Sequence, residues 1–338
     1  MNSFHRTQTL SNLLVSTLTI VALLSCVVTA AGQTSEPTAA STNRFKITDD
    51  GKSLQIMLGE KLFTRYDYSS FKKPIFFPVM GPKQIPMTRN FPMQKVDGES
   101  TDHPHHKSIW LGHEFNGIDF WTEKGGRVKT TKVQIKNDST FAAWHSWISK
   151  ATDQVVIRDE VLVKFDATDQ FRSLEYQVKF RAEDHDVKFD DTKEGFFAVR
   201  VHPLLRLTSK GGGRNGTPDA KMTNSQGESG KQIWGKPARW VDYSGVIDGQ
   251  TCGVAILDHP GNLRHPTTWH ARDYGLLAAN PFGLHYFAKQ PKHAGQHILK
   301  RGDEIVFRYK VLLHLGSCQP DQLNHAFKKF AAVRDDDK

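Results

Sequence analysis

What most restricts the fold of this chain is the alternation of apolar and polar residues over many short stretches, with a single segment of helical period. Phe45-Lys46-Ile47 is followed by Asp50-Gly51 and then by Leu54-Gln55-Ile56-Met57-Leu58. Alternating stretches on either side of an Asp-Gly pair signal a β-hairpin, because that pair tolerates the positive φ a tight turn needs. The pattern recurs at 132–135, 141–148, 155–165, 174–180, 196–207, 251–257, 274–279 and 304–315. Period-two alternation buries one face of a sheet and wets the other. Parallel strands need helical crossovers, which this sequence does not supply, so the expected fold is all-β: a large antiparallel β-sandwich. The exception lies at 321–333, where Leu323, Ala326, Phe327, Phe330 and Ala331 share one helical face after Pro320 and predict one C-terminal helix.

The N-terminal stretch reads differently. No residue between Arg6 and Glu36 is charged, and the apolar run from Leu13 to Val28 leads into Thr29-Ala30-Ala31-Gly32. Residues 1–30 are therefore expected to be a signal peptide and the protein to be secreted or periplasmic; the run is short and Ser/Thr-diluted for a stable span. Leu23-Leu24-Ser25-Cys26 also approximates a lipoprotein box, which would leave the mature chain lipid-anchored at Cys26. Residues 31–43 have the Ser/Thr/Pro composition of a flexible leader, and 44–335 read as a single domain. Cys252 and Cys318 either close one bridge or stand as two buried thiols. The Gly-rich segment 209–230 reads as a surface loop, since Gly211-Gly212-Gly213 precedes no helix that could cradle a phosphate. Lys and Arg number 45 against 36 Asp and Glu, but no run of five or six basic residues forms, so the charge names no nucleic-acid partner.

The densest polar cluster is Asp102-His103-Pro104-His105-His106 with His113, which gathers four of the 16 histidines within residues 103–113. Imidazole titrates near neutrality and is also the commonest metal ligand, so clustering favours proton transfer or metal binding. His103 and His105 with His113 or Glu114 would make a three-ligand set for a divalent metal, although Pro104 disfavours a central strand there. Otherwise these imidazoles hydrogen-bond a tight loop. Glu194 opens a further strand on which Arg200 and His202 project to one side, the floor of a polar cleft that Arg89 could join. A second cluster, 258–283, offers Trp269 and Tyr274 as flat faces for a sugar ring. Within it His265, His270, Arg272 and Asn280 supply polar groups, and Asp273 a carboxylate.

The blocks Lys73-Pro74-Ile75-Phe76-Phe77-Pro78, Met87-Thr88-Arg89, Asp102 to Trp110, Asn116 to Trp121, Arg272 to Gly275 and Ala279 to Gly283 resemble a bacterial family labelled PmoA-like or "methane oxygenase PmoA", otherwise a domain of unknown function. The resemblance covers about 44–315. It implies kinship with secreted proteins of polysaccharide-degrading bacteria and a supersandwich akin to galactose mutarotases. The label sits badly with the chain: a membrane methane oxidiser needs several apolar spans of about 20 residues, and no stretch after the N-terminal one approaches that length.

Together these features lead to the expectation of a carbohydrate-active protein without a cofactor, acting on a small sugar or oligosaccharide. In a mutarotase-like or lyase-like reaction, an imidazole from His103, His105, His106, His113 or His202 and a carboxylate from Glu194 or Asp273 would share acid/base work. Arg89, Arg200, His265, Trp269, His270, Arg272, Tyr274 and Asn280 would bind the substrate. The rivals are a metal-dependent oxygenase or hydrolase using His103, His105 and His113, and a non-catalytic glycan-binding sandwich.

Overall fold

The structure, a computed structural model, describes residues 45–208 and 219–332. The segments expected to be a signal peptide and a leader, Cys26 and the glycine triplet lie outside them.

Every strand pair is antiparallel. A seven-stranded sheet runs in the order Phe45–Asp49, Ser53–Leu58, Lys61–Asp67, Ile75–Val79, Ile109–Gly112, Phe196–Arg200 and Leu276–Ala279. An eight-stranded sheet runs Lys221–Asn224, Trp240–Ile247, Gln250–Asp258, Glu304–Leu315, Phe171–Arg181, Val155–Ala167, Thr140–Ser149 and Gly126–Asn137. A small four-stranded sheet, His297–Leu299, Val187–Phe189, Glu114–Phe115 and Ile118–Asp119, completes the set. The hairpin at Asp50-Gly51 forms as expected, with Asp49 opposite Leu54 and Gly51 at a φ of 82°.

The two large sheets face each other across one apolar layer. Leu54, Ile56, Phe63, Phe197 and Val199 come from one side, Phe165, Val178, Val254 and Tyr309 from the other, all buried. Phe63 meets Phe165 edge-on at 5.6 Å, and Phe197 stacks on Tyr309 at 5.0 Å. Each such side chain contributes about 1.5–3 kcal/mol when removed from water, which makes this layer the main stabilising feature. The C-terminal helix, Pro320–Ala331, places Leu323, Phe327 and Phe330 over Trp240, Ala255, Leu257 and Leu312 on the outer face of the eight-stranded sheet.

Two expectations are corrected. Residues 221–224 of the Gly-rich connection form an edge strand paired with Trp240–Ile247, not loop. The strand beginning at Phe196 ends at Arg200, so His202 does not share its face; the chain turns there and His202 caps a short 3-10 turn. Cys252 and Cys318 are free thiols.

The outer face of the seven-stranded sheet positions the site. Alternation sends Phe197 and Val199 into the sandwich and Ala198 and Arg200 outward. There Trp110, Ala198, Leu276 and Ala278 join Ile75, Trp121 and Tyr274 in a second buried apolar cluster, on which the histidine loop rests.

Candidate functional site

The loop Asp102–Ser108 leads into strand Ile109–Gly112 and bends sharply, with φ of 46° at His103 and 57° at Ser108. Such backbone persists only where surrounding contacts over-determine it. Arg89, buried to 1% exposure, provides them. Its guanidinium donates to the carbonyls of Phe91 (3.0 Å), Asp102 (3.0 Å), His103 (3.1 Å) and His106 (3.3 Å), and to Asp102 Oδ1 at 2.7 Å.

Arg200, fully buried, reaches the same carboxylate from the sheet, with Nη2 at 3.0 and 3.1 Å from the two Asp102 oxygens. Burial alone would raise the Asp102 pKa, but the His103 hydrogen bond, Arg200, Ser100 and Arg89 hold it well below the usual carboxylate range. The ionised carboxylate accepts from His103 Nδ1 at 2.5 Å. With Nδ1 carrying that proton, His103 Nε2 is the atom left for chemistry.

The neighbouring imidazoles are held by other partners. Arg200 Nη1 stands 3.3 Å from His106 Nδ1, and since a guanidinium only donates, His106 is neutral with its proton on Nε2. Burial, then Arg200, push its pKa well below the ordinary value. His105 is lowered to about 4 by burial, then by Lys73 and His103. His270 is likewise lowered to about 4, by burial against the opposing pull of Glu194. At neutral pH these three serve as neutral hydrogen-bonding groups. His103, 40% exposed, stacks on His106 at 4.7 Å and on Tyr274 at 5.2 Å.

Glu194 enters from the start of the strand Phe196–Arg200. Asn280, fully buried, holds this segment by donating to the carbonyls of Thr192 (2.9 Å) and Lys193 (3.1 Å). Gly195 follows, where a Cβ would stand 2.6 Å from His113 Nδ1, so only glycine allows the chain this close. Burial would raise the Glu194 pKa, but His270, Lys193 at 2.6 Å and His105 lower it on balance, so the group is a carboxylate.

The histidines and Glu194 border one cleft of about 660 Å³, within the range of about 300–1,000 Å³ typical of small-molecule sites. Of the residues expected from sequence, His103, His105, His106, Glu194, His270, Arg272 and Tyr274 line it. Thr122, Lys193, Trp234 and Tyr286 line it as well and were missed. Trp234 carries the one usable signal, a lone Trp before Gly235 in a segment without apolar periodicity. Three buried ring nitrogens on the lining, His106 Nε2, His270 Nδ1 and Trp234 Nε1, have no hydrogen-bond partner among the described residues. Buried polar atoms are normally satisfied, so these three nitrogens stand open to a polar group entering the cleft.

The other expected residues lie elsewhere. Arg89, Arg200 and Asn280 support the lining from behind. His113 is buried among Phe115, Phe189, Phe196 and Phe282, apart from His103 and His105, so the three-ligand set is not assembled. Among the described residues no group of three or more His, Cys, Asp or Glu is arranged to hold a metal ion. His202 Nδ1 accepts from Leu204 N at 3.2 Å. His265 bonds Asp258 at 2.7 Å and stacks on Phe327 of the C-terminal helix. Trp269 is core, its Nε1 donating to Ala238 O at 2.9 Å. Asp273 faces an adjoining hollow and pairs with Lys231 at 3.4 Å.

Residues 53–328 match a family of unknown function, DUF6807, and the chain belongs to that family. No curated protein matches it in sequence. Among solved structures it is similar to a glycoside hydrolase family 97 enzyme from Pseudoalteromonas sp. strain K8 in complex with panose, at 10% identity and a TM-score of 0.37, over 80% of this chain and 34% of that one. The chain thus spans about a third of the length of that enzyme. It is also similar to a galactose mutarotase-like protein from Lactobacillus casei ATCC 334, at 11% identity and a TM-score of 0.31, over 80% and 100% of the two chains. A galactose mutarotase related enzyme from Lactobacillus acidophilus gives 8% identity and a TM-score of 0.30, over 81% and 97%.

Proposed function

For this member of the DUF6807 family we propose a secreted or periplasmic carbohydrate-active enzyme that moves protons on a sugar, without a cofactor. The kinship with the PmoA-labelled family is part of the same reading. One observation carries it: the cleft brings together an Asp102–His103 dyad and the carboxylate of Glu194. Two titratable groups held in opposite roles around one pocket are the equipment of general acid/base catalysis.

In the mutarotase-like form, His103 enters as the imidazolium, with Asp102 steadying its charge, and Glu194 as the carboxylate. Glu194 takes the proton from the anomeric hydroxyl while His103 Nε2 gives one to the ring oxygen, and the bond between anomeric carbon and ring oxygen breaks. The open-chain aldehyde rotates about its first carbon–carbon bond. Return of both protons along the same paths closes the ring as the other anomer and restores both groups. His106, His270 and Trp234 supply the neutral contacts that hold hydroxyls.

The test is anomer exchange followed by saturation-transfer NMR on a panel of aldoses and uronic acids. Wild type should accelerate exchange for at least one of them. His103→Ala and Glu194→Gln should each lower that rate by about 10²–10⁴-fold, the range for loss of a positioned acid or base. Full activity in either variant would refute the assignment.

A further inference from the structure

We infer that the sugar bound in this cleft is anionic, a uronic acid whose carboxylate is received by Arg272. This rests on the reading above that the cleft takes a sugar, and names the class.

One carboxylate, Glu194, lies on the lining of the cleft and three more stand close behind or beside it, and each already has its cation. Asp102 faces both Arg89 and Arg200. Glu123, beside the lining residue Thr122, accepts from Lys107 at 2.5 Å and lies 3.2 Å from Lys73. Glu194 is paired with Lys193 and Asp273 with Lys231. Two of the four carboxylates thus hold two cations each, and none is left over.

Arg272 is the exception among the cations. Among the described residues its guanidinium makes no ion pair and no hydrogen bond. It is steadied instead by two aromatic faces, lying 6.0 Å from the Trp234 ring and 5.8 Å from that of Tyr274, both on the lining. Aromatic contact holds a guanidinium through its π-face and leaves the N–H donors at its edge free for a planar, two-oxygen partner. A hydroxyl does not need that fork, since the unpartnered nitrogens of His106, His270 and Trp234 already serve the neutral part of a sugar. A cleft with positive charge in excess also concentrates anions at its mouth.

The experiment is titration calorimetry on the full chain at low and moderate salt, with galacturonate and glucuronate, the corresponding galactose and glucose, and glucose 6-phosphate. The uronates should bind roughly tenfold or more tightly than their neutral counterparts. Arg272→Gln should bring the uronates down to the level of the neutral sugars, and Arg272→Lys, which keeps the charge but not the fork, should fall between. Thermal melts of both variants establish that they are folded. Equal affinity for uronates and neutral hexoses, or a preference that survives Arg272→Gln, overturns the inference and leaves the sugar reading standing. Tighter binding of the phosphosugar than of either uronate overturns the carboxylate assignment, and binding of none of these sugars removes both readings.

Discussion

Asp102→Asn is the substitution that bears most directly on how the site is held. The carboxylate lies 2.7 Å from Arg89 Nη1, 3.0 Å from Arg200 Nη2 and 2.5 Å from His103 Nδ1, and is itself 14% exposed. An amide of the same shape carries no charge, and its NH2 meets groups that are themselves donors. Removing one partner of a buried ion pair costs about 3–5 kcal/mol. Among the described residues Arg89 retains carbonyl acceptors at Phe91, Asp102, His103 and His106, whereas Arg200 retains only His106 Nδ1 and the face of Tyr274 at 4.7 Å. The loss therefore falls mainly on Arg200, and the lower end, about 3 kcal/mol, is expected. With a urea slope of about 3 kcal/mol/M, the unfolding midpoint should drop by about 1 M. Adding Arg200→Met removes the stranded charge, so the double variant should be less destabilised than the sum of the singles by about 1 kcal/mol or more. A midpoint shift below about 0.3 M, or strict additivity, would show that Asp102 does not anchor the buried guanidiniums in the way described.

Two further outcomes follow from the fold. Asn280→Ala strands the carbonyls of Thr192 and Lys193 and the N–H of Phe282; it should lower stability by about 3 kcal/mol and loosen Glu194. The catalytic term of any sugar turnover should then fall more than the apparent affinity, and an unchanged ratio of the two counts against Asn280 as a positioning residue. His314, fully buried in the eight-stranded sheet, bonds Asp242 at 2.9 Å. Burial would lower its pKa, but Asp242 and the carbonyls of Gly316 and Leu315 raise it above the ordinary 6.5. A folded-state pKa above the unfolded one stabilises fully below 6.5 and loses that contribution as pH rises through the folded value. Urea melts from pH 5.5 to 9 should show this decline, and His314→Gln should flatten it; an identical pH profile in the variant would exclude the linkage.

By itself the sequence determined the class of fold, because period-two alternation is local: it needs only that one face of each strand meet the core. Val155–Ala167 and Glu304–Leu315 announced themselves in this way, and the one helical stripe did the same for Pro320–Ala331. Ile109–Gly112 did not, since all four of its residues are buried and a strand covered on both faces loses its period. Part of the lining of the cleft was also legible, since the histidine block supplies His103, His105 and His106 and the segment 258–283 supplies His270, Arg272 and Tyr274. What the tertiary structure alone decided is which member of each group does what. His103 and His106 are three residues apart, yet one is 40% exposed on a carboxylate and the other is sealed against Arg200. His113, His202, His265 and Trp269 are the same residue types, taken by the core, a turn and the helix clasp. Charge, exposure and the tautomer of an imidazole are set by neighbours distant in sequence, Arg200 lying 98 positions from Asp102, and only the stacking of the sheets supplies those neighbours.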